Sequence, residues 1–171
     1  MWRFSGRQRP VFAIEPGPGQ ESVWDYPRPP ICVNDSREIT VRHGDLVIGR
    51  TFQAIRVLET ASPPTFYLPR SAVNLELLVP FSGSSFCEWK GLATYWSLKT
   101  DLLQIDNVGW SYETPSARFG AIKSFLAFYP GKLNCTVGDE LVRPQDGDFY
   151  GGWVTDEIVG PFKGSQRTSG W

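Results

Sequence analysis

The sequence predicts a mainly β protein built of compact antiparallel sheets with one or two short helices. Three observations carry that expectation. Residues 38–60 alternate apolar and polar side chains with the period of two that a half-buried strand requires. Gly-Asp and Pro-Gly pairs interrupt the chain at intervals suited to hairpins. Aromatic residues make up 14% of the chain, many beside glycine or proline rather than inside long aliphatic runs, which suits short twisted strands. At 171 residues the chain is long enough for one domain with a real hydrophobic core.

Three regions follow in order: a Pro/Arg-rich extension at 1–37, a β core at 38–142, and a Gly/aromatic tail at 143–171 that packs on the core. Within the extension, ESVWDYPRPPI (21–31) reads as an extended strap, because Pro27, Pro29 and Pro30 exclude helix and hold the backbone near polyproline geometry. Trp24 and Tyr26 would anchor it. In the core, EITVRH (38–43) sets Ile39 and Val41 on one face, Gly44-Asp45 turns the chain, and LVIGRT (46–51) returns. AIRVLET (54–60) places Ile55, Val57 and Glu59 on one side and Arg56, Leu58 and Thr60 on the other. Pro63-Pro64 ends it, TFYL (65–68) follows, and Pro69 opens a helical turn over 69–74.

SFCEWKG and LATYWSLK (85–98) read as two strands, or as one long strand bent at Gly91. A polar hairpin at 101–107 leads into GWSYE (109–113). The best helix candidate is TPSARFGAIKSF (114–125), with Thr114 as cap and Pro115 at the first helical position. Residues 126–142 close the sheet, turning at Pro130-Gly131 and Gly138-Asp139. In the tail, Phe149, Tyr150, Trp153 and Phe162 are interleaved with glycines, a pattern that lets backbone lie close to a surface while rings are buried.

Composition narrows the function classes. Seventeen basic against eighteen acidic side chains give a net charge of −1, and the arginines crowded into residues 3–9 are not continued, so nucleic acid is not an expected partner. No stretch has the length of a spanning helix. Glu-Pro-Gly-Pro-Gly (15–19) prevents the first residues from forming the apolar region of a secretory leader, so membrane association is not expected and the cytoplasm is the expected compartment. Cys32, Cys87 and Cys135 contain no C-x-x-C pair, and His43 is the sole histidine. The expectation is three reduced thiols and neither zinc nor any other metal or cofactor.

Nucleotide-binding, serine-hydrolase and zincin motifs are missing, and His43 sits beside a hairpin turn. Three stretches remain. Glu59 continues an apolar strand face, which makes it a candidate acid/base or half of a structural ion pair. Cys87 shares a face with Trp89, and Lys90 can lower its pKa only where the bend at Gly91 turns it back; a buried inert thiol is the plainer reading. The rings of Tyr67, Trp89, Tyr95, Trp96, Trp110 and Tyr112 can wall a pocket that grips a flat or cationic ligand, or can simply be core.

The spaced motifs R-V-L-E-T (56–60), P-P-x-x-Y (63–67), C-x-W-K-G-x-A-x-Y-W (87–96), W-S-Y (110–112) and A-F-Y (127–129) resemble the domain-of-unknown-function family 427, over about 38–142. The flanks VWDYPRPP and FYGGWVT-x-x-IVGPFKG resemble extensions of some members. The resemblance implies an antiparallel β architecture similar to the tent-like fold of small zinc-bearing domains, although the paired C-x-x-C knuckles are absent here. Some members are labelled nucleotidyltransferase. The Gly-Ser start and nearby D-x-D that such chemistry uses are not together, since Gly83-Ser84 and Asp146-Gly147-Asp148 fall in different regions.

The leading expectation is a single-domain protein, monomer or homodimer, that binds a small molecule of unknown identity. Its ligand-binding residues would be Arg56, Glu59, Tyr67, Trp89, Lys90, Tyr95, Trp110 and Tyr112. An enzyme using Cys87, or a Glu59/Lys90 pair, is the alternative. A protein-interaction module working through the strap and the tail is the third reading.

Overall fold

A computed structural model gives the structure of the protein and describes residues 2–147 and 149–171. The strap opens with β1 (Glu21–Ser22) and a single 3-10 turn at Val23–Asp25, whose first free amide, Trp24 N–H, donates to Ser22 Oγ at 3.2 Å. Its prolines then deliver the chain extended into β2 (Ile31–Asp35). That strand pairs antiparallel with Ala54–Leu58, so part of the region marked as extension belongs to a sheet.

The predicted hairpin is β3 (Ile39–His43) and β4 (Leu46–Thr51), with Gly44 at φ +56° in its turn. β5 (Ala54–Leu58) and β6 (Thr65–Tyr67) complete a three-stranded sheet in the order β2-β5-β6. A 3-10 turn at Arg70–Ala72 follows Pro69, where the sequence places a helical turn. β7 (Leu78–Cys87) and β8 (Gly91–Lys99) form a long hairpin, and β9 (Gln104–Ser111) and β10 (Leu126–Phe128) extend it to the sheet β10-β9-β8-β7. The two-strand alternative therefore holds for SFCEWKGLATYW: Cys87 faces Gly91 across the turn, and Gly91, at φ +102°, adopts a backbone that other residues rarely reach.

β11 (Asn134–Val137) and β12 (Glu140–Leu141) join the first hairpin in a second four-stranded sheet, β12-β11-β3-β4. The tail adds β13 (Arg143–Pro144), β14 (Trp153–Val154) and β15 (Ile158–Val159); β13 pairs with β14, and β15 runs parallel to β1. The architecture is mainly β, with several antiparallel sheets and, among the described residues, only short 3-10 turns between them.

Burial follows the alternation. Ile39, Val41 and Ile48 meet Leu98, Val108 and Phe128 in the largest core, with Phe66 and Trp153 alongside. Each such side chain contributes about 1.5–3 kcal/mol. Ile55 and Val57 point into a second core of rings, whereas Leu58 faces a third under the strap with Val23, Trp24 and Ile158. One β-strand thus feeds two cores by its period of two.

The helix expected at 114–125 is corrected. A 3-10 segment spans only Ala117–Ile122, is kinked at Phe119, and is preceded by Ser116 rather than Thr114. Gly120 weakens a helix too short to stand by propensity alone. Phe119 and Ile122, three residues apart, are the two it buries, as the threefold repeat of a 3-10 turn allows. In the tail, Trp153 is fully buried and stacks on Phe66 with ring centroids 4.7 Å apart, but Phe149 lies largely in solvent.

Candidate functional site

Four neighbouring strands bring a set of rings to one face. Tyr95 on β8 stands directly opposite Trp110 on β9. Tyr67 on β6 meets Trp110 edge-on, centroids 6.3 Å apart, and its hydroxyl accepts a hydrogen bond from the indole Nε1–H at 3.3 Å. Tyr129, just past β10, packs 4.7 Å from Trp110, and Tyr112 lies 6.5 Å from Tyr67. The Tyr67–Trp110 pair is edge-on, as ring quadrupoles favour, and the other two are tilted.

These rings do not fill the space between them. They wall a cavity of about 190 Å³ that also receives Val57, Glu59, Cys87 and Lys90. Lys90 arrives there because the β7–β8 turn folds back, and that turn is pinned from outside. Ser116 Oγ donates to the Trp89 carbonyl at 2.7 Å, and Ser116 N–H donates to the Lys90 carbonyl at 3.3 Å. The Lys90 ammonium stands over the Tyr112 ring, 5.7 Å from its centroid. On the same hairpin, Ser85 and Tyr95 share a hydrogen bond of 2.6 Å.

Of the ten residues singled out from sequence, Glu59, Tyr67, Cys87, Lys90, Tyr95, Trp110 and Tyr112 line this cavity. Arg56, Trp89 and Trp96 do not. Arg56 points to the opposite face of β5, where it contacts Glu21 at 2.6 Å and Asp35 at 3.4 Å. Trp89 leaves the strand at the turn and packs on Trp2, centroids 4.9 Å apart. Trp96 donates to Ser111 Oγ at 2.9 Å and carries the Arg70 guanidinium on its ring. Glu59 is half of an ion pair: Arg28, from the strap, meets it at 3.4 Å.

Burial governs the titrating groups. It pushes the Tyr67, Tyr112 and Tyr129 phenols well above their ordinary range, so each stays a neutral hydroxyl at physiological pH. Burial likewise raises the Cys32 thiol, partly offset by the Lys90 charge, and raises that of Cys135, which is fully enclosed in the main core. Among the described residues no group of three or more His, Cys, Asp or Glu side chains is placed to hold a metal ion. No helix among them is long and apolar enough to cross a membrane.

The family model described as "Domain of unknown function (DUF427)" matches residues 31–139. The chain belongs to the DUF427 family. A comparison with curated proteins found no match. The DUF427 match begins at β2 and ends between β11 and β12, so it contains Tyr67, Tyr95, Trp110, Tyr112 and Tyr129. It does not contain the wall opposite, which comes from Gln145, Tyr150, Gly151, Gly152 and Lys163 of the tail.

That wall is built closely. A β-carbon on Gly151 would collide with the Trp110 indole, and one on Gly152 with Gln145 and Pro63. Gln145 is buried and ties two tail segments together: its amide donates to the Lys163 carbonyl at 2.5 Å, and its carbonyl oxygen accepts from Gly152 N–H at 3.0 Å. Lys163 N–H in turn donates to the Ala61 carbonyl at 2.7 Å. The Lys163 ammonium lies over the Tyr150 ring, 5.2 Å from its centroid. Sequence reasoning missed Tyr129, Gln145 and Lys163 as lining residues. Tyr129 was legible as the last residue of the A-F-Y motif, whereas nothing local marks Gln145 or Lys163. Gly83 lies within an irregularity of β7 that ends at Ser84, and of the Asp146-Gly147-Asp148 triplet Asp148 lies outside the described residues.

Proposed function

We propose that this DUF427 protein binds a small molecule in the aromatic-walled cavity. The observation that carries the reading is convergence: Tyr67, Tyr95, Trp110, Tyr112, Glu59 and Lys90, drawn from five separate stretches of chain, border one open space. A ring cluster serving only as core packs to organic-crystal density. Here about 190 Å³ is left among rings. That is below the roughly 300–1,000 Å³ usual for drug-sized ligands, and it suits one ring or a small bicycle. Three unpaired thiols fit a cytoplasmic setting, where they stay reduced.

The acid/base alternative is weakened by Arg28, which already holds the Glu59 carboxylate. A metabolite screen by thermal shift, followed by NMR of the tryptophan indole N–H signals, tests the reading. The expected result is a ligand that raises the melting temperature and moves the Trp110 signal while Trp24, in the separate core under the strap, stays still. A screen in which stabilising ligands leave Trp110 unmoved would overturn it.

A further inference from the structure

The charges around the cavity specify its occupant, given the small-molecule reading above. Among the described residues three charged side chains line it: Glu59, Lys90 and Lys163. Glu59 is already matched, because Arg28, itself only 5% exposed at its side chain, pairs with it. Neither lysine enters an ion pair among the described residues. Each instead rests on a ring, Lys90 on Tyr112 and Lys163 on Tyr150. A ring face attracts a cation but does not neutralise it.

Those two cation–π positions are therefore filled by the protein's own ammonium groups. A cationic ligand stacking there would meet like charge, and an anion would meet two ammonium groups that no described carboxylate pairs, in a partly desolvated site. The surrounding phenols, kept protonated by burial, add hydroxyl donors rather than repelling phenolates. Among the described residues no arginine lines this cavity to offer the bidentate fork that a phosphoryl group favours. We propose that the cavity binds a small planar aromatic carboxylate, its ring against the aromatic wall and its carboxylate shared by Lys90 and Lys163. Lys163 lies outside the family-matched residues, so the tail would set the ligand class of this chain.

Indole N–H NMR titrations with matched probes test this: benzoate and indole-3-carboxylate, their amides, benzylamine and phenyl phosphate. The carboxylates are expected to bind about tenfold tighter than the amides, the scale of one charge-assisted hydrogen bond. Lys90→Gln and Lys163→Gln should each narrow that gap and together abolish it. Both lysines are part-exposed, so neither replacement opens a core. Amides or benzylamine binding as tightly as the carboxylates would overturn the anion inference and leave the cavity reading standing. Tighter binding of phenyl phosphate than of benzoate would overturn the carboxylate assignment. If no probe moves Trp110, both fall.

Discussion

Gly151 lies flat against Trp110, so close that a β-carbon there would overlap the far edge of the indole. A tail residue beyond the family match thus locks the central ring of the cavity wall. Gly151→Ala must displace either the indole or the tail, an overpacking cost of about 1–3 kcal/mol. Gly120 is the control, since a β-carbon there meets open space and no left-handed backbone is involved. Gly120→Ala should be neutral or slightly stabilising. Denaturant midpoints of the two variants check the contrast, and equal midpoints would refute it.

Arg28 is a structural hub beneath the cavity. Beside its contact with Glu59 it donates to the carbonyls of Phe4, Thr60 and Trp171 at 3.2, 3.2 and 2.9 Å. Arg28→Ala would strip these part-buried acceptors of their donor, at a cost of about 1–3 kcal/mol. Glu59→Gln should cost less than about 1 kcal/mol, because Glu59 is a quarter exposed and its contact with Arg28 is long. Chemical unfolding of both variants should show that order; the reverse order would make Glu59, not Arg28, the organising group.

The strands and turns were legible because each is encoded locally: alternation for β3 to β6, Pro69 for the turn after β6, Gly91 for the β7–β8 hairpin. The failed helix at 114–125 had a cap and a proline but too few apolar positions to bury. For the cavity, ring-bearing motifs pointed to one wall because neighbouring strands carry them in register. Arg56 was assigned to the ligand although its own alternation sets it opposite Val57, and its partners Glu21 and Asp35 come from the strap and β2. The second wall was hidden: Gln145 and Lys163 reach the site only through the tail's return across the core, a long-range event that no local pattern announces.

Alkaline unfolding should report the buried phenols. Burial raises the folded-state pKa of Tyr67, Tyr112 and Tyr129 above the value of about 10 they have in the unfolded chain. Their contribution is fully present below pH about 10 and is lost as pH rises further, because only the unfolded chain then releases these protons readily. Melting temperatures across pH 8–11.5 should stay level and then fall. A Tyr67→Phe/Tyr112→Phe double variant should fall less steeply, while starting lower through the lost Trp110–Tyr67 hydrogen bond. Parallel slopes for the two proteins would show that these phenols do not drive the transition.

The tail is expected to be part of the fold rather than a free arm. Trp153 is completely buried, stacks on Phe66 and donates its Nε1–H to the Phe128 carbonyl at 3.0 Å, so it ties the tail to the three-stranded sheet and to the four-stranded sheet that contains β10. Trp153→Ala removes that ring from a dense core, a loss of about 3–5 kcal/mol against a total stability of roughly 5–15 kcal/mol for a typical domain. Trp153→Phe keeps most of the stacking surface and gives up the hydrogen bond, so it should cost less than the alanine replacement. Deletion of 144–171 removes Trp153 together with β14 and β15, and it should lower the melting temperature more than either substitution. Limited proteolysis of the intact protein should leave the segment around Trp153 uncut under conditions where the exposed loop around Leu102 is cleaved. Cleavage at Trp153 first, with the truncated product melting at the original temperature, would show that the tail contributes nothing to the core it covers.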